Sequence, residues 1–417
     1  MTGQHEGNEM KYDLSYEVLD VISHGSYQDG PPFELYRQLR DEAPVIKCRG
    51  IEPMYTDEFW AITRHADVVE VSRRFQTYSS AKKGSLMNEA PTEIDSDGAR
   101  LLIDLDPPEH TRLRTLVSRG FTPKAMRMLE THFREVAVTL IEEAIESGQI
   151  DFVDKVSAEL PLIAIAELVG IPVEDRRKVF DWSNAMIGSN DPEFAADPEV
   201  GMIAATELYM YSNQLALERK NSPKDDIITT LISEHDGDVL TEHEFDLFML
   251  LLAVAGNETT RNGISHGVVA MINHPDEWRR LQSDPNLVTT AVEEILRWAT
   301  PVNYFRRAAT CDVELHGVRI AEGESVTMFY PSANRDERVF TNPDRFDITR
   351  TPNPHVTFGG GGPHFCLGSN LARLEMRILF EELSKRVGDI VPTGPIKKLR
   401  SSFIHGISHL PVSLTRR

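Results

Sequence analysis

The sequence predicts a mainly α-helical fold with a small β region, organised as one domain over residues 1–417. Two observations carry this. Apolar residues recur at three- and four-residue intervals through most of the chain, as at Met126, Leu129, Phe133, Val136, Leu140 and Ala144. Alternating stretches of the kind strands need, VELHGVRI and ESVTMFY, appear only after Pro301. A single domain is expected because no Pro/Ser-rich linker, repeat or low-complexity tract divides the chain.

In chain order, PPFELYRQLRDEAPV places Phe33, Tyr36 and Leu39 on one helical face between prolines. FWAITR reads as a strand and HADVVEVSRRF as a helix. From Ser79 to Asp104 the composition favours a long loop, a feature that often carries function. DPPEHTRLRTLVSRGF begins a helix with prolines near its first turn, where a missing N–H costs little. The next helix starts at Thr122-Pro123 and stops at Gly148. Helical patterns continue through VEDRRKVFDWSNAMIG, MIAATELYMYSNQLALERK and DDIITTLISEH. TEHEFDLFMLLLAVAGNETTRNGISHGVVAMINH is apolar almost all round at its middle and so must cross the interior. The tail, LRSSFIHGISHLPVSLTRR, is expected to form a terminal hairpin or loop pair.

With 65 acidic and 44 basic residues the net charge is −21, which opposes binding to nucleic acid or anionic membrane surfaces. The N-terminus lacks the apolar core of a signal peptide, and no apolar run approaches the roughly 20 residues of a membrane span. Three cysteines, Cys48, Cys311 and Cys366, have neither the number nor the spacing of a disulfide framework or a zinc site. A cytoplasmic location is therefore expected, with Cys48 and Cys311 incidental.

The candidate chemistry centres on Phe358 to Gly368, FGGGGPHFCLG. Glycines let backbone approach a large planar ligand, and a helix start behind the cysteine favours negative charge on sulfur. A thiolate so placed suits haem iron. A phosphate-cradling loop and an inert buried cysteine are the competing readings; against the first, no Gly-Lys-Ser/Thr follows the glycines. Within the long apolar helix, Ala255-Gly256-Asn257-Glu258-Thr259-Thr260 interrupts the apolar surface. This is either a groove for a diatomic ligand, with Thr259 bonding it and Glu258 relaying protons, or a tight helix crossing with an ordinary buried hydrogen bond. Glu294 and Arg297 lie one turn apart, and Arg345 in the downstream NPDRFD is expected to join them in a buried three-member network.

Taken together, the AGNETT helix, Glu-x-x-Arg at 294–297, PDRF at 343–346, the cysteine loop and DPPEHTRLR resemble the soluble bacterial cytochromes P-450 over nearly the whole chain. The resemblance implies the cytochrome P-450 fold, with haem b between the long central helix and the helix after the cysteine. It implies Cys366 as the axial iron ligand, and Thr259 and Glu258 as the alcohol and acid of oxygen activation. Ala255, Gly256, Phe358 and Gly368 then flank the cofactor, and His110, Arg114, Arg307 and His364 hold its two carboxylates. The usual family spacing puts the loop phenylalanine seven positions before the cysteine, whereas Phe358 stands eight before Cys366. That longer loop, with ELPLIAIAELVGIP, AVAGNETTRN, RWATPV and RSSFIHGISHLPV, resembles the actinobacterial enzymes that oxidise the chain terminus of cholesterol and methyl-branched lipids.

The implied activity is hydroxylation of an unactivated C–H bond of a steroid side chain, terpenoid or methyl-branched lipid, using O2. Leu86, Met87, Met249, Val254, Val302, Asn303, Tyr304, Phe305, Phe403 and Ile404 are the expected substrate contacts. No flavin, dinucleotide or iron–sulfur motif occurs in the chain, so a ferredoxin and ferredoxin reductase are implied, docking on a basic patch that includes Arg112, Arg119, Lys124 and Arg127. A peroxide-driven haem enzyme and a haem-based sensor are the alternatives. The first generally lacks the acid–alcohol pair, and the second would be expected to carry an output domain.

Overall fold

A computed structural model describes residues 11–16, 19–50, 58–87, 100–121, 123–187 and 199–417. Its axis is a helix of 32 residues, Glu242–Asn273, about 48 Å long. Thr241 starts it with a capping box: its hydroxyl accepts the Glu244 N–H at 3.2 Å, and the Glu244 carboxylate accepts the Thr241 N–H at 2.9 Å. Helices Glu159–Val169, Arg176–Ile187, Glu199–Asn221 and Val288–Ala299 pack around it. Two glycines make the close approaches possible. A Cβ at Gly256 would run into Ile165, and one at Gly267 would lie 2.8 Å from Ile295 and collide with Phe380.

The helix behind the cysteine, Ser369–Arg386, packs against Pro123–Ser147, Val288–Ala299 and the central helix. Its buried residues Leu371, Met376, Leu379, Phe380 and Leu383 join Ile264, Val268 and Ile295 in the main core.

A five-stranded sheet stands to one side, in the order Val45–Arg49, Glu58–Ile62, Ser325–Phe329, Tyr304–Ala309, Tyr78–Ser79. Glu58–Ile62 and Ser325–Phe329 run parallel; the other neighbours are antiparallel. In the register Tyr304↔Phe329 to Ala308↔Ser325, strand Tyr304–Ala309 delivers Phe305 and Arg307 to the cavity described below.

The helices expected from spacing are present, and VELHGVRI forms the paired strands Val313–Leu315 and Val318–Ile320. The first helix, Phe33–Glu42, ends before Pro44 as expected, and a strand that the spacing did not reveal, Val45–Arg49, follows it, because extended VIKCR pairs with Glu58–Ile62. The expected terminal hairpin is present: Lys397–Lys398 pairs antiparallel with Ile407–His409, and the Leu399 N–H donates to the Gly406 carbonyl at 3.0 Å. Beyond it Pro411–Arg416 lies between Val387–Pro392 and Gln149–Asp151, tying the terminus to the helical core. Of the expected loop 79–104, residues 88–99 lie outside the described residues.

Candidate active site

Phe358 to Gly368 crosses beneath the central helix. Gly359, Gly361 and Gly362 hold φ of +96°, +96° and +78°, a region closed to most side chains. A Cβ at Gly360 would come within 2.8 Å of Val69 Cα, so the loop lies flat against helix His65–Arg73, where Arg73 Nε donates to the Gly360 carbonyl at 3.1 Å. The Cys366 N–H donates to the Phe358 carbonyl at 2.9 Å. The additional glycine is thus taken up inside the loop while Phe358 stays beside the cysteine. Cys366 precedes helix Ser369–Arg386 and opens onto the cavity. Burial pushes its thiol up, opposed by the amides of Gly368 and Ser369 and by the Arg114 and Arg373 guanidiniums.

Above the loop is a cavity of about 250 Å³. Its ceiling is Ala255, Gly256, Thr259 and Thr260 of the central helix; the Thr259 hydroxyl donates to the Ala255 carbonyl at 2.8 Å. At one rim stand His110, Arg114, Arg307 and His364. Arg307 donates to the Arg306 carbonyl at 2.6 Å and Arg114 to that of Phe365, and among the described residues no carboxylate pairs with either guanidinium. Burial lowers the pKa of both. The rings of His110 and His364 lie 4.3 Å apart, and burial with neighbouring positive charge brings them down to about 4 and about 2. His110 Nδ1 has no hydrogen-bond partner.

Arg307 is buried and Arg114 half-buried with no carboxylate paired to either, a costly arrangement that favours anions at this rim. Haem b carries two carboxylates, a planar ring and an iron that a thiolate can hold, so the rim residues would receive its carboxylates and Cys366 would hold its iron. The described residues fit it, and they define a haem-thiolate site.

Glu258 does not line this cavity. It is buried on the adjacent helical face, where Oε2 is ion-paired with Arg261 and accepts the Asn262 amide at 3.4 Å, while Oε1 has no partner. Arg261 also donates to Asn184 Oδ1 of helix Arg176–Ile187 at 2.9 Å. Burial raises the Glu258 pKa against the pull of Arg261 and Asn262.

Behind the loop, Arg297 donates to both oxygens of Glu294 at 2.8 Å, and to the carbonyls of Asn334 and Pro343 at 2.9 Å. The third member of this network is Arg350, whose Nε donates to Glu294 at 3.0 Å. Arg345, expected there, turns its side chain to solvent and contributes its carbonyl, which accepts from Arg297 at 3.3 Å. The chain turns through Asn342, at φ +48°, and that turn aims backbone rather than side chain inward.

Of the expected substrate contacts, only Val302 and Phe305 line the cavity. Met87 and Tyr304 belong to a second core with Tyr36 and Phe329, Phe403 packs against that core, and Met249 faces the main core. Asn303 donates to the Ser402 carbonyl at 2.9 Å and Ile404 bridges to Val302, so both join strand to tail. Leu86 and Val254 are half-buried off the cavity. The apolar wall comes instead from Leu102, Ile103, Phe121, Ile165, Phe248 and Leu252. Phe248 and Leu252 precede Gly256 by eight and four positions on the same helix. Those spacings were the available signal, because they share the glycine's face. Glu375 also reaches the cavity and was missed; burial pushes its carboxyl well above the usual range, and Oε2 has no partner. Arg112 pairs with Glu244 at 2.7 Å and Asp238 at 2.9 Å, and Arg119 with Asp236, so neither is a free cation for a partner. The side chains of Lys124 and Arg127 lie outside the described residues.

Residues 202–386 match the family model described as Cytochrome P450. The chain is 46% identical to a Steroid C26-monooxygenase of Rhodococcus jostii over 95% of its own length and 84% of the relative's. It is 42% identical to a Methyl-branched lipid omega-hydroxylase of Mycobacterium tuberculosis, covering 91% and 90%. A Mycobacterium marinum cytochrome P450 in complex with pseudoionone superimposes with a TM-score of 0.89 at 38% identity, covering 96% and 99% of the two chains. The chain belongs to the cytochrome P450 family, and it is a haem-thiolate monooxygenase acting on apolar substrates. Among the described residues no helix is long and apolar enough to cross a membrane.

Proposed function

We propose that this chain hydroxylates a terminal, unactivated carbon of a steroid side chain or methyl-branched lipid. The observation that carries the reading is the apolar wall of Leu102, Phe248, Leu252, Val302 and Phe305 above the Cys366 loop, which leaves burial as the main source of affinity. The Rhodococcus and Mycobacterium relatives, named for oxidising such molecules, support the same class.

Bound haem supplies the activation of O2 and the insertion of one oxygen atom into a C–H bond. Cys366 would hold its iron, and Arg114, Arg307, His110 and His364 would receive its carboxylates. Thr259 would present its hydroxyl from the ceiling, freed by giving up the Ala255 carbonyl. Glu258, one position earlier on the same helix, would exchange protons between the interior and that hydroxyl through its unpartnered Oε1. Gly256 keeps the ceiling low beside Thr259. Electrons would come from a ferredoxin and its reductase in the cytoplasm, since no redox motif of the chain supplies them.

Titration of the holoenzyme with cholest-4-en-3-one, a terpene alcohol, a methyl-branched fatty acid and a small aromatic, followed by mass spectrometry of the products, tests the substrate class. The steroid or a branched lipid should shift the haem spectrum and gain one oxygen at the chain end. A spectral response confined to small aromatics would overturn it. Reconstitution with an acidic ferredoxin at rising salt tests the partner, and reduction indifferent to salt would argue against charge-guided docking.

A further inference from the structure

Glu293 and Glu294 are neighbours on one helix but serve different networks. Glu294 holds Arg297 and Arg350, whereas Glu293 accepts Arg373 Nε at 2.6 Å, Arg373 Nη2 at 3.0 Å and His355 Nε2 at 2.9 Å. Two parallel bonds to one carboxylate fix a guanidinium plane. Here the plane is laid over the ring of Phe358, with the guanidinium carbon 4.4 Å from the ring centroid. The His355 ring stands 6.0 Å from the same phenyl. Phe358 in turn accepts the Cys366 N–H. A clamped positive charge therefore stacks on the side chain of the residue whose carbonyl holds the Cys366 backbone, and it is one of the charges that favour the ionised sulfur.

We propose that Arg373 is a positioning residue that, clamped by Glu293 and His355 onto Phe358, restrains electron donation from the Cys366 thiolate and raises the reduction potential of the haem iron. The inference rests on the haem-thiolate reading of the site. A fixed cation draws charge on the sulfur toward itself, so less reaches the metal. Reduction adds one electron at the iron, and a nearby positive charge favours the state that carries it. Neither Glu293, His355 nor Arg373 lines the cavity, so their effect is exerted through Phe358 and Cys366.

The test is spectroelectrochemical titration of the substrate-free holoenzyme and its variants, with the reduced, carbon monoxide-bound spectrum as the check on thiolate ligation. Arg373→Gln should make the iron roughly tenfold harder to reduce, a shift of about 59 mV for one electron, with the thiolate band retained. Arg373→Lys keeps the charge but not the fork, and should return part of the shift. Glu293→Gln removes the compensating negative charge and should move the potential the other way. A midpoint unchanged in Arg373→Gln, with the thiolate band intact, overturns the proposal. If that variant does not retain haem, an unmoved midpoint in Glu293→Gln overturns it equally. A parent protein without the thiolate band would instead refute the haem-thiolate reading itself.

Discussion

Arg261 closes on Glu258 from one helical turn away, so the acid of the acid–alcohol pair sits inside a buried ion pair that also reaches helix Arg176–Ile187 through Asn184. Breaking such a pair on one side leaves the other charge buried and uncompensated, at a cost of about 3–5 kcal/mol. Arg261→Leu should therefore destabilise the protein by about that much in chemical denaturation. Pairing it with Glu258→Gln should restore most of the loss, because a neutral amide no longer needs the guanidinium. Additive losses in the double variant would show that the two side chains are not coupled.

Thr259 gives its hydroxyl to the Ala255 carbonyl at 2.8 Å while its side chain faces the cavity. A helix tolerates the loss of such a back-bond, so Thr259→Ala should leave the melting temperature close to that of the parent. Product yield should instead fall at least tenfold while reductant consumption continues, because proton delivery at the ceiling is lost. Simultaneous measurement of reductant consumed and product formed separates this from a general loss of activity, in which both decline together.

The network behind the cysteine loop separates Arg345 from Arg350. Arg297→Ala leaves the fully buried Glu294 with one cation and the Asn334 carbonyl without its donor, and should cost about 3–5 kcal/mol or abolish folding. Arg350→Ala removes the second cation and should cost about 1–3 kcal/mol. Arg345→Ala, with only its carbonyl in the network, should stay within about 0.5 kcal/mol. Urea midpoints of the three variants give the ranking directly, and a loss at Arg345 equal to that at Arg350 would contradict it.

That contrast also marks where sequence reading succeeds. The Cys366 loop, the Ala255 to Thr260 break and the Glu294–Arg297 pair each lie in one short segment, where spacing along a glycine run or a helical turn fixes which side chains meet. The substrate wall converges from separate segments: Leu102 before the first rim helix, Ile165, Phe248 on the central helix, Val302 entering the sheet. No period along the chain encodes such a meeting. The family resemblance marks the segments that hold Met87 and Tyr304 but not which of their side chains turn to the cavity, and the sheet buries these two beside Phe329. Glu293 was hidden for a different reason: the motif Glu-x-x-Arg draws attention to its neighbour, and its partners His355 and Arg373 lie 62 and 80 positions away.

Glu293 also gives the fold an acid-sensitive joint. Burial alone would raise its carboxyl above the ordinary 4.5, but the hydrogen bonds from His355 and Arg373 outweigh it and bring the group down to about 2. A carboxyl depressed in the folded state contributes stability that is fully present above its unfolded value, and loses it as pH falls through the folded one. The contribution should therefore be constant from neutrality to about pH 4.5 and decline between there and about pH 2. Glu293→Gln cannot titrate. Its stability deficit against the parent, read from urea denaturation by circular dichroism, should be largest at pH 7 and shrink below pH 4.5. A deficit that stays the same down to pH 2.5 would mean that the His355 and Arg373 bonds do not stabilise the ionised carboxylate.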